Sequence, residues 1–296
     1  MSTLSTSKPR GVTPASSGTG KRRRSAATGL LGLLAWVTGL LFVAPAAWMV
    51  LTSFHGETDA ATNPPSLFAP LTLAGYENFL GAGSGASPLA PMLNSVMASV
   101  ISTVLVLALA MPAAYALSIR PVKKWSDVMF FFLSTKMLPV VAGLLPIYLI
   151  AQATGLLDSI LLLVILYTSM NLPIAVWMMR SFLSEVPKEI LEAAAIDGAG
   201  LPTIFRTVII PISGPGIAAT ALICFIFSWN ELLFANVLTS TAATTAPVFL
   251  TSFITSQGLF LAKVCAASVA ISLPVLIAGF AAQDKLVQGL SLGAVK

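Results

Sequence analysis

Six runs of this chain are each apolar over about 20 residues, the length an α-helix needs to cross the hydrocarbon of a bilayer. They lie near residues 30–51, 96–117, 129–150, 161–179, 216–238 and 265–282. In lipid a backbone N–H or C=O has no water to bond, so an isolated apolar run of this length has to be a helix. The expected fold class is an all-α membrane protein with six transmembrane helices. Composition agrees, since 56% hydrophobic and 9% charged residues at a mean hydropathy of +0.91 exclude an ordinary soluble domain. A seventh segment, 247–261, is shorter and is interrupted by Thr251, Ser252, Thr255, Ser256, Gln257 and Gly258, which predicts a re-entrant or surface helix.

The basic residues orient the bundle, because Lys and Arg accumulate on cytoplasmic loops. With six spans, the N-terminal tail, the 118–128 loop, the 180–215 loop and the C-terminus share one side. These segments hold all of the 16 Lys and Arg except Lys136 and Lys263. That side, both termini included, is expected to be cytoplasmic. The 53–93 loop has Glu57, Asp59 and Glu77 but no Lys or Arg, as an external loop should.

Residues 1–28 are rich in Ser, Thr, Gly and Pro with a basic run from Lys21 to Arg24, a composition that predicts a disordered basic tail. A pI near 9.4 would point to nucleic acid only if the basic residues formed an aromatic-interleaved patch, and they do not. Ala15, four residues, then Gly20-Lys21 imitates a phosphate-binding loop. However, alanine replaces the first glycine, Arg22 stands where Ser or Thr belongs, and no strand precedes it. Ala44-Pro45-Ala46 resembles a signal cleavage site, yet the apolar run before it is longer than a signal peptide uses.

Between the fourth and fifth apolar runs stands Pro187 to Pro211, PKEILEAAAIDGAGLPTIFRTVIIP. Pro187 suits a helix start, and Ile190, Leu191, Ala194 and Ala195 recur at helical spacing, with Lys188, Glu189 and Glu192 at the polar boundary. Gly198 offers a stop and Pro202 a second start, through Ile204, Phe205 and Val208. A helix–turn–helix outside the bilayer is expected, with a shallow face of small residues that another backbone can approach. The bland alternative is a surface linker between two spans.

Glu192-Ala193-Ala194, Gly198 four residues on, and Val208-Ile209-Ile210-Pro211 resemble the EAA loop of bacterial ABC importer permeases. The run EAAAIDGA at 192–199 and Phe205 resemble the carbohydrate-uptake branch, and within it the shorter permease subunit of maltose-type systems. Val208 and Ile210 depart conservatively from the pattern. The resemblance extends from about Asn94 to Lys296. It implies that Glu192, Ala193, Ala194, Asp197, Gly198, Ala199, Phe205 and Pro211 form a coupling surface for a cytoplasmic ATPase. It also implies three further kinds of partner: a second homologous permease, two ATPase subunits, and an extracytoplasmic solute-binding protein or lipoprotein. ATP and Mg would sit on the ATPases, with no cofactor and no catalytic residue in this chain. The 239–262 stretch resembles the loop that meets the binding protein, and the C-terminal GAVK resembles the branch's tail. The implied division is a tail at 1–28, a permease domain at 29–283 with its coupling loop at 182–213, and a C-terminal tail at 284–296.

Polar residues inside the spans are the candidates for a solute path, because burying them in lipid is costly unless they face protein or water. Lys136 lies nine residues beyond Asp127, so on a straight helix it would be roughly 13 Å up the third span, near the midplane. Asn171 is expected at a similar depth, Trp229, Asn230 and Glu231 in the outer half of the fifth span, and Asn94 at the start of the second. Amides, carboxylates and an aromatic face suit a polyhydroxylated solute. The alternative is structural, with the same groups bonding helix to helix. The run Ser134 to Pro139, STKMLP, is more similar to permeases for sugar alcohols than for maltose.

The single histidine, His55, has no partner for catalysis and reads as a surface residue. Cys224 and Cys265 read as small apolar packing residues rather than as a disulfide or metal site. Two functions from different classes follow: the permease of an ATP-driven carbohydrate importer, or an ion-gradient-driven carrier coupled through Lys136 and Glu231. An intramembrane hydrolase lacks a nucleophile–base set.

Overall fold

The computed structural model describes residues 26–62, 66–81, 87–119, 122–255 and 258–294. The expected disordered tail lies outside these residues except for its last three, which open α1 (Ala26–Thr52). Short helices α2 (Glu57–Ala60) and α3 (Ala74–Phe79) precede α4 (Leu89–Ser118). Next come α5 (Trp125–Thr135), α6 (Val140–Ala153) and α7 (Ile160–Leu183), then α8 (Lys188–Ile196) and α9 (Leu201–Ile204). A π-helical turn, Phe205–Ile209, leads into α10 (Ile210–Ile212), α11 (Gly214–Trp229), α12 (Leu233–Leu238) and α13 (Ala246–Thr251). The antiparallel pair β1 (Ile254–Thr255) and β2 (Gly258–Leu259) then precedes α14 (Leu261–Ala294).

The chain forms two compact units, Met1–Ala47 and Trp48–Lys296. In the first, α1 exposes an apolar surface throughout, including Trp36 and Phe42. In the second, α4 lies against α7 and α11, and α11 against α14. Close approach depends on small residues, since Ala98, Ala110, Ala114 and Ala175 are all fully buried. A Cβ built on Gly216 would stand 2.5 to 2.9 Å from Phe182, so only glycine lets α11 reach the end of α7.

Among the described residues four helices, α1, α4, α7 and α14, are long and apolar enough to span a bilayer by themselves, and the number is six when each of two bent pairs is counted as one span. The bends correct the expected spans. The third run is broken between α5 and α6 by 81°. Pro139 has no N–H to give, and it sits in extended conformation just before α6. Before it, the Lys136 and Met137 amides close tight turns onto the Leu133 and Ser134 carbonyls. The straight-helix depth of Lys136 therefore does not apply. The fifth run ends at Trp229 rather than 238, and at its other end it is bent by 79° from Leu201–Ile212.

Three other expectations change. Residues 247–261 form a short helix and a β-pair rather than a single helix. The segment set apart as a tail at 284 continues α14 as far as Ala294. His55 is 1% exposed instead of lying at the surface. The chain folds back beside it, where the Thr72 amide donates to the Phe54 carbonyl at 2.6 Å.

Candidate functional site

The 187–211 loop folds as two helices about a left-handed glycine, with φ +78° at Gly198. Its inner residues Leu191, Ile204 and Ile209 are buried in one apolar cluster with Tyr115 and Met111 of α4, Met129 of α5, and Met179 and Leu183 of α7. Phe205 packs against Tyr115 with ring centroids 4.8 Å apart and the planes tilted by 56°. The Arg180 guanidinium lies 3.7 Å over the Trp125 ring, tying the end of α7 to the start of α5.

The outer residues Glu192, Ala193, Asp197, Gly198 and Pro211 are exposed, while Ala194 and Ala199 lie at the boundary. Ile196 is 86% exposed although apolar. Of the residues expected to form one apolar face, Leu191 turns inward whereas Ile190 and Ala195 are exposed. The loop is thus a small-residue knob whose underside belongs to the core of three spans.

Each of the six polar residues proposed for a solute path has a hydrogen-bond partner within the protein. Asn171 is fully buried, and its amide donates to the Tyr167 carbonyl and to the Ser228 hydroxyl at 3.0 and 2.9 Å. Ser228 in turn lies 3.2 Å from the Ser102 hydroxyl, so the three polar groups join α4, α7 and α11. Trp229 is 1% exposed and donates from Nε1 to the Ile271 carbonyl at 3.2 Å. Asn230 donates to the Ile226 carbonyl at 2.8 Å, where α11 ends. Glu231 accepts the Phe234 and Ala235 amides at 3.0 and 3.3 Å, satisfying the free N–H groups that open α12.

Of the six, Lys136 lines a cavity of about 570 Å³ in the angle between α5 and α6. Its Nζ donates to the Met170 carbonyl at 2.8 Å. Thr135, Ser169, Leu138, Ile147 and Phe234 are among the other lining residues. Lys136 and Glu231 thus have separate hydrogen-bond partners rather than each other.

Asn94 serves the opposite end of the bundle from the 187–211 loop. Its amide donates to the Ala242 and Thr244 carbonyls at 2.9 and 3.0 Å, and the neighbouring Ser95 hydroxyl accepts the Ala246 amide at 2.8 Å. The same 240–246 segment is held by a residue that the sequence analysis did not single out. Asp158 Oδ1 accepts the Ser240 and Ala243 amides, both at 2.9 Å. Oδ2 accepts the Thr241 and Ala242 amides at 3.1 and 3.0 Å and the hydroxyls of Ser240 and Thr241 at 2.8 and 3.3 Å.

Partial desolvation pushes the Asp158 carboxyl up, but the Ser240, Ala242 and Ala243 amides and the Ser240 hydroxyl outweigh it. The net result lies well below the usual carboxylate range. One signal was available in the sequence: Asp158 is the only charged residue between Lys136 and Arg180. Glu57 acts in the same way at the start of α14, accepting the Ala262 and Lys263 amides at 3.2 and 3.4 Å.

A polytopic helical bundle with broken spans, an anchored knob at one end and a clamped loop at the other has the form of a membrane translocation subunit. The chain belongs to the family described as the binding-protein-dependent transport system inner membrane component, whose model matches residues 107–291. It is 33% identical to the diacetylchitobiose uptake system permease protein DasC of Streptomyces coelicolor, across 87% of this chain and 92% of that protein. It is also 33% identical to the trehalose transport system permease protein SugB of Mycobacterium tuberculosis, across 75% of this chain and 82% of that one. Its fold matches a crystal structure of a bacterial ABC transporter that imports the acidic polysaccharide alginate, with a TM-score of 0.71. That match has 22% identity and covers 90% of this chain and 98% of that one. The chain is accordingly a multi-pass permease subunit of an ABC importer that works with ATPase and binding-protein partners.

Proposed function

We propose that this permease carries a carbohydrate into the cell, a di- or oligosaccharide or a sugar alcohol, as one of two homologous membrane subunits. Two separate ATPases bind ATP and Mg, and an extracytoplasmic solute-binding protein or lipoprotein delivers the solute. Both termini and the 187–211 loop face the cytoplasm, in keeping with the basic residues on that side. The disaccharide names of DasC and SugB support the solute class. One observation carries the mechanism: the 187–211 loop offers an exposed small-residue knob while its underside is continuous with the core of α4, α5 and α7.

An ATPase gripping Glu192, Ala193, Ala194, Asp197, Gly198 and Ala199 would move those helices as a unit, because packed cores transmit displacement rather than absorb it. Phe205 against Tyr115 carries the same push into α4, and Pro211 lies in the bent approach to α11. The breaks near Lys136–Pro139 and at Ser213 supply the places where spans change direction as the path opens to one side and then the other.

The test is reconstitution. Complex purified in mild detergent should contain a second permease, an ATPase and a binding protein, and its proteoliposomes should accumulate labelled disaccharide only with ATP inside the ATPase compartment. Accumulation by this chain in liposomes without any ATPase would refute the proposal.

A further inference from the structure

The ammonium group of Lys136 has a place in the fold but no counter-charge among the groups that line its cavity. An ammonium carries three donors, and the Met170 carbonyl takes one, so two remain for the cavity. None of the cavity's lining residues is an aspartate or glutamate. Glu231, three residues before the wall residue Phe234, is not among the lining residues and accepts the amides that open α12, one on each carboxylate oxygen.

A lysine exposed within a membrane span is costly unless it faces water or an opposite charge. The rest of the wall is asymmetric. Val140 lines the cavity at the first turn of α6, the positive end of that helix's dipole, so a second source of positive potential adjoins Lys136. The Ser169 hydroxyl adds a neutral polar group, and Leu138, Ile147 and Phe234 give an apolar side on which the carbon face of a sugar ring can lie.

We propose that this cavity is a solute subsite for an acidic sugar, with Lys136 contacting the carboxylate of a uronic acid unit. The inference rests on the importer reading and narrows its solute class. A volume of about 570 Å³ admits one or two sugar rings, and a carboxylate there receives charge-assisted hydrogen bonds that a neutral hydroxyl does not.

The test uses the assembled complex in nanodiscs, with Cys224→Ala and Cys265→Ala as background and Ser169→Cys as a thiol reporter for a methanethiosulfonate reagent. The probes are a disaccharide ending in a uronic acid and its neutral parent, added directly so that the binding protein's own selectivity does not enter. The uronate should protect the thiol at about tenfold lower concentration than the neutral sugar, the expected difference for one charge-assisted hydrogen bond. The preference should vanish in Lys136→Gln and return in Lys136→Arg.

Equal protection by the two probes in the Lys136 protein would overturn the subsite, and so would a preference that survives in Lys136→Gln. A reporter that stays unlabelled in the assembled complex also sinks it, because the cavity is then filled by the partner permease. ATPase activity stimulated by the binding protein, measured on the same nanodiscs, separates the two readings. Stimulation without a uronate preference refutes the subsite alone, and absence of stimulation in the unsubstituted complex refutes the importer.

Discussion

Replacing Asp158 with Asn removes a charge but leaves the shape of the side chain, and the geometry of the 240–246 segment allows the consequence to be worked out. Each carboxylate oxygen accepts two backbone amides, Ser240 and Ala243 on Oδ1, Thr241 and Ala242 on Oδ2. Whichever oxygen becomes the NH₂ group, two main-chain donors then face a donor. A hydrogen bond to a charged group contributes roughly 1.5–3 kcal/mol when sheltered, and exposure here lets water replace part of it. A local loss of about 2 kcal/mol for the pair is the reasoned value, equivalent to roughly 30-fold in an opening equilibrium.

The assay is amide hydrogen exchange in the assembled complex. Peptides covering 240–246 should exchange roughly 30-fold faster in Asp158→Asn, while peptides of the 187–211 loop at the other end stay unchanged. Acid gives an independent arm. The folded-state pKa of Asp158 is depressed, so its contribution is fully present above the unfolded value of about 3.9 and is lost only as pH falls through the lower folded value. Protection of the segment should therefore persist at pH 4. Unchanged exchange in Asp158→Asn, or loss of protection already between pH 6 and 5, would refute the clamp.

Four further outcomes are expected. Gly198→Glu places a side chain at φ +78°, a conformation costing roughly 1–2 kcal/mol for an ordinary residue, and it puts a bulky acid on the open face of the knob. ATP-driven uptake should fall to background while this chain remains in the membrane at normal level, as read by transport and immunoblot. Gly216→Ala drives a methyl group into Phe182, an overpacking cost of about 1–3 kcal/mol. The complex should lose detergent thermostability, and Phe182→Ala in the same chain should restore part of it. Ser228→Ala leaves the buried Asn171 amide without its 2.9 Å partner, for a cost of about 1–3 kcal/mol read as faster thermal inactivation. Trp229→Phe keeps the packing but frees the Ile271 carbonyl, so about 1 kcal/mol of stability should go with little effect on solute affinity. A large rise in KM would instead put Trp229 on the solute path.

Much of the helical bundle was legible from apolar length alone, because lipid leaves a 20-residue apolar run few other conformations. The runs at 96–117, 161–179 and 265–282 became α4, α7 and α14, each extended by several residues past the apolar core. The 187–211 loop was legible too, since Pro187, Gly198 and Pro202 punctuate the backbone by local sterics that need no tertiary partner. What hydropathy could not read was the bend at Pro139, because STKMLPVV is apolar enough to average into one span.

The polar residues mark the boundary between the two sources most clearly. Sequence identifies Asn94, Lys136, Asn171, Trp229, Asn230 and Glu231 as groups that lipid will not accept, and chemistry alone gives each a choice between solute and protein. The choice depends on which carbonyls and amides stand within hydrogen-bond reach, and these come from residues as far away as Ile271 for Trp229 and Thr244 for Asn94. Asp158 is the extreme case, a lone acid whose partners lie more than 80 residues further on. Spans and turns are set by near neighbours along the chain and by the solvent around it. The hydrogen bonds of Asn94, Trp229 and Asp158 are set by packing between distant segments, so only the tertiary structure shows them, as it does the cavity that Lys136 lines.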